Sequence, residues 1–220
     1  GPILNNLRNA GHMVLFAGGK PNDFLAKATP GYQQLDYSDP AALADLCTRL
    51  GVEYLVQVGH RNFGMIAGKT ENNDRARDRV DGVVELLKRN RISLKKESII
   101  EVPYQIQDAR IALKKLLQIN PKISAVVCGN DVLAIGALLE AQSQGIKIPH
   151  QCSILGFDNL ELSRHIQPSL STIHIDAIGM WSKAAHHLMS QINGINRLPR
   201  KILADVSLVI RDSTGGVLKT

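Results

Sequence analysis

The chain has 220 residues, of which 44% are hydrophobic and only 4% aromatic. That composition predicts a globular protein with a buried core in one or two domains, and no stretch has the unbroken apolar length of a membrane helix. The net charge of +6 suggests an anionic partner. The densest basic run, residues 88–96, lacks the interleaved aromatic residues of a nucleic-acid surface and is typical of a solvated helix end.

The N-terminus has no charged head followed by an apolar signal core. Three cysteines without metal-ligand spacing are typical of reduced, mostly buried thiols: Cys47, Cys128 and Cys152. We therefore expect a cytoplasmic protein, and no pattern in the chain predicts a metal or a cofactor.

The first 60 residues are the least regular part of the chain. Apolar spacing predicts a helix at residues 3–7 and a strand at 12–17, whereas residues 18–37 show no clear periodicity. Asp39-Pro40 is typical of a helix start and precedes a helical pattern that runs to residue 50. The short apolar run 52–58 fits a strand or a helix equally well.

From residue 63 onward, strands and helices alternate. Strands are predicted at 63–67, 98–102, 124–128, 153–155, 170–175 and 204–210. Helices are predicted at 75–87, 108–117 (with Asp108 as its cap), 132–144 and 176–192. This alternation predicts βαβ units with parallel strands, and therefore an α/β fold.

Polar residues follow two of these strands directly. Asn130 and Asp131 come after one strand, and Asp158 and Asn159 come after the next. In parallel α/β sheets the ligand sits at the carboxyl ends of the strands, so these side chains should line one crevice. Tyr104 follows another strand end and should open on the same crevice.

Several short motifs together resemble one family. They are Gly59-His60-Arg61, Arg79 with Gly82, Gly129-Asn130-Asp131, Ile148-Pro149, Gly156-Phe157-Asp158-Asn159, Pro168 with Leu170 and Thr172, and a closing Arg211-Asp-Ser-Thr. In this order and spacing they resemble the effector-binding core of the lac repressor–galactose repressor family of bacterial transcription regulators. The resemblance runs from about residue 51 to residue 214.

This resemblance implies two Rossmann-like lobes with parallel sheets flanked by helices, similar to periplasmic binding proteins. Residues 2–60 plus 176–197 would form the N-terminal lobe, and residues 61–175 plus 198–214 the C-terminal lobe. A sugar or related metabolite would bind between the lobes and control operator DNA binding by a homodimer. Family effector contacts fall on Arg79, Tyr104, Asn130 and Asp158, and Asp131 joins them as a further acceptor.

Two departures from the family pattern are visible near the start. The chain begins at a helix, where family cores open with a strand and a ligand-contacting turn, and the segment between residues 17 and 39 is short. We therefore expect an incomplete first lobe. The helix-turn-helix head that binds operator DNA is absent, so we expect a fragment of a regulator.

Each candidate residue also has a purely structural interpretation. Asn130 and Asp131 are good helix caps, and Asp158 would cap a short helix toward residue 163. Arg79 would form a surface ion pair with Asp78 or Asp81, and Tyr104 would belong to the core. These alternatives remain open from the sequence alone.

Three functions compete: a regulator core, a periplasmic solute-binding protein of the same fold, and an enzyme with Asp131 and Asp158 as paired carboxylates. A solute-binding protein should begin with a secretion signal and lack the Arg-Asp-Ser-Thr ending. No nucleophile–base pair or metal cluster supports an enzyme. The sequence therefore favours the regulator core, and we expect no enzymatic activity.

Overall fold

The computed structural model describes residues 50–192 and 206–217. The helix predicted at 3–7, the strand predicted at 12–17 and the expected incompleteness of the first lobe lie outside these residues. Contacts within the chain divide it into two compact units, residues 1–39 with 178–203 and residues 40–177 with 204–220. The second unit contains most of the described residues.

Strands and helices alternate through the described residues as the sequence predicts, and residues 178–192, most of the last helix, belong to the first unit. The first described helix, α1, covers residues 50–57, so the ambiguous run 52–58 is helical rather than extended. The elements that follow are β1 (Phe63–Gly68), α2 (Asp74–Arg89), β2 (Ile99–Val102), α3 (Ile106–Ile119), β3 (Ala125–Cys128), α4 (Asp131–Ser143), β4 (Ser153–Phe157), β5 (Ser171–Ile175), α5 (Ala177–Ile192) and β6 (Val206–Val209).

One six-stranded sheet has the order β2-β1-β3-β4-β5-β6. The first five strands are parallel, and β6 pairs antiparallel with β5 at the edge. The predicted α/β class is confirmed, with one antiparallel edge strand that a purely parallel prediction did not include. Such a strand on an otherwise parallel sheet is common.

The sheet is buried on both faces. Because side chains alternate along a strand, Ile66 packs with α3 and α4 on one face, while Met65 and Ala67 pack with α1 and α2 on the other. The burial of all six residues of β1 follows from this two-sided cover.

The helix α4 is apolar nearly all round and packs closely against α3. A Cβ atom at Gly136 would lie 2.5 Å from the carbonyl oxygen of Ile106 and 2.6 Å from the Cβ of Ala109. The absence of a side chain at Gly136 is therefore what allows the two helices to approach.

Two predicted details are corrected. Asp108 does not cap α3, because the helix begins at Ile106 with Gln105 at its cap position and Asp108 lies in the first turn. The predicted lobe boundary at residue 60 also fails for the described part of α1. Val52 and Leu55 pack with Phe63 of β1, so residues 50–60 belong with the sheet of the second unit. The assignment of the remaining residues to two lobes stays a prediction.

A buried histidine joins the start of the sheet to the end of the chain. His60 is 2% exposed, and its Nε2 lies 2.9 Å from the carbonyl oxygen of Gly215. Because a carbonyl only accepts, Nε2 carries the proton, and Nδ1 accepts from the hydroxyl of Ser124 at 3.0 Å. Burial lowers the pKa of His60 below its ordinary value.

The lowered pKa of His60 predicts a pH-dependent stability. The unfolded chain takes up a proton at His60 below about pH 6.5, whereas the folded protein does so only at lower pH. The free energy of unfolding should therefore fall as the pH drops from 7 to 5, with a contribution of up to about 1.4 kcal/mol per pH unit from this group. Urea titrations at several pH values between 5 and 7 give the free energy of unfolding of wild type and of His60→Gln. This free energy should depend less steeply on pH in the variant, and an equal pH dependence would contradict the assignment.

Candidate functional site

The carboxyl ends of four neighbouring strands form one edge of the sheet. In the order β2-β1-β3-β4, β1 ends at Gly68, β3 is followed by Gly129, and β4 by Asp158. The crossovers reverse direction between β1 and β3, and ligands of doubly wound sheets bind at such a switch point. The strand ends at which the sequence predicts a ligand crevice therefore lie side by side, and ligand binding there stays a prediction.

Arg79 reaches this edge from α2. Its Nη1 donates to the carbonyl oxygen of Gly129 at 2.6 Å, and its Nη2 lies 3.8 Å from the carboxylate of Asp158. The guanidinium also stacks over the ring of Phe157, 3.8 Å from its centre. The side chain of Arg79 therefore points to the strand ends, and the geometry does not support a surface pair with Asp78 or Asp81.

Asp158 has a strained backbone and a half-exposed carboxylate. Its φ is +106°, in a region that residues with a side chain rarely adopt, and its N–H donates to the carbonyl of Ile173 at 2.8 Å. The side chain is 41% exposed. Burial of the remainder raises the pKa of Asp158 to about 6, and the positive charge of Arg79 opposes that rise.

The capping interpretation of Asp158 is wrong. A short 3₁₀ helix does follow, at Glu161–Arg164, but its cap position is Leu160 and no side chain caps it. A strained residue that does not cap anything, at a strand end and opposite a cation, is typical of a functional position.

Tyr104 lies over the end of β1. A Cβ atom at Gly68 would stand 2.1 Å from the Tyr104 ring, so the ring rests directly on the Gly68 backbone. The residue is 40% exposed, which shows that it is not part of the core. An exposed ring held against the backbone offers an apolar face on which a flat or ring-shaped ligand can stack.

Asn130 combines a structural contact with an available donor. Its Oδ1 accepts from the backbone N–H of Leu133 at 2.9 Å, which caps α4 as the sequence suggests. Its amide nitrogen has no hydrogen-bond partner among residues 50–192 and 206–217, and the residue is half-buried. Capping and ligand contact are therefore compatible at this position.

Asp131 differs from the other candidates because it is fully buried. It is the first residue of α4 rather than its cap. Its carboxylate accepts from the N–H of Leu160 at 2.8 Å and from the hydroxyls of Ser163 and Thr172 at 2.6 Å each. Burial raises the pKa of Asp131, and these hydrogen bonds oppose the rise. With its oxygens occupied by protein donors, Asp131 has an organising role in this geometry rather than the predicted ligand contact.

Sequence reasoning missed two parts of the site. The ring of Phe157 supports Arg79, and the carbonyl of Gly129 accepts from it. Both residues belong to the Gly-Phe-Asp-Asn and Gly-Asn-Asp motifs. In those motifs only the polar residues were predicted to contact a ligand. A small hollow beside them has otherwise apolar walls, formed by Gly51, Val52, Met65, Val83, Val127, Cys128, Leu155, Gly156 and Ile173.

The described residues contain no cluster of three or more side chains suited to hold a metal ion. In the same part of the chain, no helix is long and apolar enough to cross a membrane.

Residues 52–214 match the family of periplasmic binding protein-like domains. The chain is 30% identical over 164 residues to the ribose operon repressor of Haemophilus influenzae, and 34% identical over 163 residues to the transcriptional repressor CytR of Escherichia coli. Each match covers 74% of this chain. The chain belongs to the lac repressor–galactose repressor family.

The fold comparison agrees with this family. The structure matches that of the lac repressor dimer bound to operator and the anti-inducer ONPF, with a TM-score of 0.71 and 28% identity. That match covers 79% of this chain and 59% of the repressor. The chain spans about half the length of the curated relatives it matches, 49% and 48%.

The strain at Asp158 predicts that glycine is more stable than alanine at this position, the opposite of their order at an ordinary helix position. Glycine adopts φ of +106° without a Cβ clash, so Asp158→Gly should be more stable than Asp158→Ala by about 1 kcal/mol. At the exposed helix position Lys115 the order should reverse, with alanine more stable by about 1 kcal/mol. Thermal unfolding of the four variants tests this. Alanine more stable than glycine at both positions would show that Asp158 is not strained.

Proposed function

We propose that the whole protein is a cytoplasmic transcription repressor whose core binds a small metabolite. The supporting observation is the pairing of Arg79 with Asp158 at 3.8 Å, beside the exposed ring of Tyr104, at the strand ends. Donor, acceptor and stacking face are all on one edge of the sheet. These are the groups that hold a hydroxylated ring by its polar rim and its apolar face.

The charge of the site favours an uncharged ligand. The guanidinium of Arg79 faces the carboxylate of Asp158, so a phosphate brought to Arg79 would also meet a negative charge. Hydroxyl groups, by contrast, accept from Arg79 and donate to Asp158 at the same time. We infer a sugar or nucleoside with neighbouring hydroxyls rather than a sugar phosphate.

The relatives favour a regulator over a periplasmic solute-binding protein, because they are repressors. We propose that ligand binding at this edge of the sheet changes the affinity of the whole protein for operator DNA. The DNA would be bound through a helix-turn-helix head outside these 220 residues. The same comparison gives no support to an enzyme.

A ligand screen tests the proposed site. Thermal unfolding should be followed with D-ribose, other sugars, nucleosides, purine bases and the matching sugar phosphates. A true ligand stabilises the folded state by about 2.7 kcal/mol at a hundredfold excess over its Kd. We expect an uncharged compound to give this shift and its phosphate ester to give less.

Calorimetric titration then locates the binding site. Asp158→Asn and Arg79→Ala should each weaken the ligand found in the screen by roughly 1.5–3 kcal/mol, the range for hydrogen bonds to charged groups. Glu161→Gln is the matched control, because it neutralises an exposed carboxylate three positions away in the same segment. Full affinity in both site variants would show that the ligand binds elsewhere.

We also propose a homodimer, the commonest symmetric assembly of soluble proteins. Large apolar side chains are exposed on α4 and on two other helices: Ile111 at 58%, Leu139 at 43% and Leu162 at 51%. Such side chains are typical of surfaces that a second subunit covers. They lie on α3, on α4 and on the short helix that Asp131 holds through Ser163.

Sedimentation tests the assembly. Wild type should sediment as a dimer at micromolar concentration, and Leu139→Glu with Leu162→Glu should shift it to monomer, because a carboxylate in an apolar interface loses its hydration. Lys88→Glu on α2, whose side chains pack on the other face of the sheet, is the control and should leave the dimer intact. A monomeric wild type would refute the dimer.

A further inference from the structure

The turn after β4 contains two consecutive residues in left-handed backbone. Asp158 has φ of +106° and Asn159 has φ of +55°. Conformations of this kind persist only where the surrounding structure fixes them. The contacts that hold this turn therefore decide where the carboxylate of Asp158 stands.

The first hold, by which we mean a set of hydrogen bonds that fixes the turn, is organised around Asp131. Asp131 accepts from Leu160 at 2.8 Å and from Thr172 at 2.6 Å, and the Thr172 hydroxyl in turn accepts from the backbone N–H of Asn159 at 3.3 Å. These bonds fix the residue after the turn and the backbone of Asn159. They leave the side chain of Asn159 for other partners, and its amide nitrogen lies 3.3 Å from Nδ1 of His174.

The second hold is Arg211, from the closing motif of the chain. Its Nη2 donates to Oδ1 of Asn159 at 2.7 Å, and its Nη1 donates to the carbonyl of Leu170 at 2.6 Å. Its backbone N–H donates to the hydroxyl of Ser171 at 2.8 Å. Arg211 is thus anchored to Leu170, just before β5, and to Ser171, the first residue of β5, while its Nη2 contacts the turn.

We propose that Arg211 is a positioning residue of the binding site, which acts through Asn159 to keep the carboxylate of Asp158 opposite Arg79. Nothing in the resemblance or in the comparisons gives Arg211 this role. It deepens the proposed function, because Asp158 is a ligand-contacting group only under that proposal.

A simpler view would treat Arg211 as a contributor to stability alone. Ser213 offers a matched comparison, because it is fully buried and belongs to the same closing segment. Its hydroxyl donates to the carbonyl of Ile154 and accepts from the N–H of Ser171, at 2.7 and 2.8 Å. Neither bond touches the turn, so Ser213→Ala lowers stability without releasing Asp158.

The test uses the ligand-free protein and two readouts. Carboxyl NMR measures the pKa of Asp158, and amide hydrogen exchange measures the opening of the bond from the Asp158 N–H to Ile173. In Arg211→Met, loss of a positive charge by itself would raise the pKa of Asp158. Release of the turn would lower that pKa, because burial is the main cause of its value of about 6. The two explanations therefore differ in sign.

We expect Arg211→Met to lower the pKa of Asp158 toward the ordinary carboxyl range. Exchange at the Asp158 amide should become faster by roughly tenfold relative to amides of β3, the scale of one lost charge-assisted hydrogen bond. Asn159→Gly removes the acceptor without changing charge and keeps a residue that tolerates positive φ, so it should do the same. If Arg211→Met does not fold, Asn159→Gly tests the proposal by itself.

Ser213→Ala should leave the pKa of Asp158 unchanged and alter exchange only in parallel with global stability. An unchanged or raised pKa of Asp158 in both Arg211→Met and Asn159→Gly, with exchange that follows global unfolding, would overturn the proposal. Neither readout needs a ligand. A screen that returns no compound would therefore count against the proposed function alone.

Discussion

The carboxylate of Asp131 has no exposed surface, and the geometry of the site depends on the hydrogen bonds it accepts. Its partners are the N–H of Leu160 and the hydroxyls of Ser163 and Thr172. A buried carboxylate without such partners is costly, so the bonds couple the start of α4 to the segments after β4 and inside β5. The start of α4 and two segments about 30 to 40 residues further along the chain thereby become one rigid support for the turn at Asp158.

That support allows the turn to keep a backbone it would not adopt alone. Asp158 has a positive φ, and its carboxylate is held near Arg79, whose guanidinium is itself fixed by Gly129 and by the ring of Phe157. Each group has a partner before any ligand arrives. A site organised in this way loses little conformational freedom on binding, which raises affinity for a ligand that matches it. The strain is the energetic cost of that preorganisation.

The sheet order explains why these groups meet. Parallel strands in the order β2-β1-β3-β4 place four strand ends side by side, and the direction of the crossovers reverses between β1 and β3. Gly68 leaves room for the ring of Tyr104, and a Cβ atom at Gly129 would lie 3.2 Å from the backbone nitrogen of Gly68, so glycine allows the two strand ends to approach. The same edge is where the proposed metabolite would bind in a repressor of this family.

The sequence by itself determined the α/β class and the order of the elements from residue 63 onward, because apolar periodicity, helix stops and turn residues are local signals. The family came from the resemblance of its short motifs, in their order and spacing, to those of known regulators. The sequence also placed Tyr104, Asn130 and Asp158 after strand ends, and the resemblance added Arg79 from the helix that follows β1. Only the tertiary structure showed that Asp131 differs from these residues in being buried and bonded to protein donors. The donors, from Leu160, Ser163 and Thr172, lie about 30 to 40 residues away in the chain. The hydrogen bond from Arg211 to Asn159 joins residues that are 52 positions apart. The spacing of residues along the chain does not predict such a contact, because it exists only once the sheet has formed.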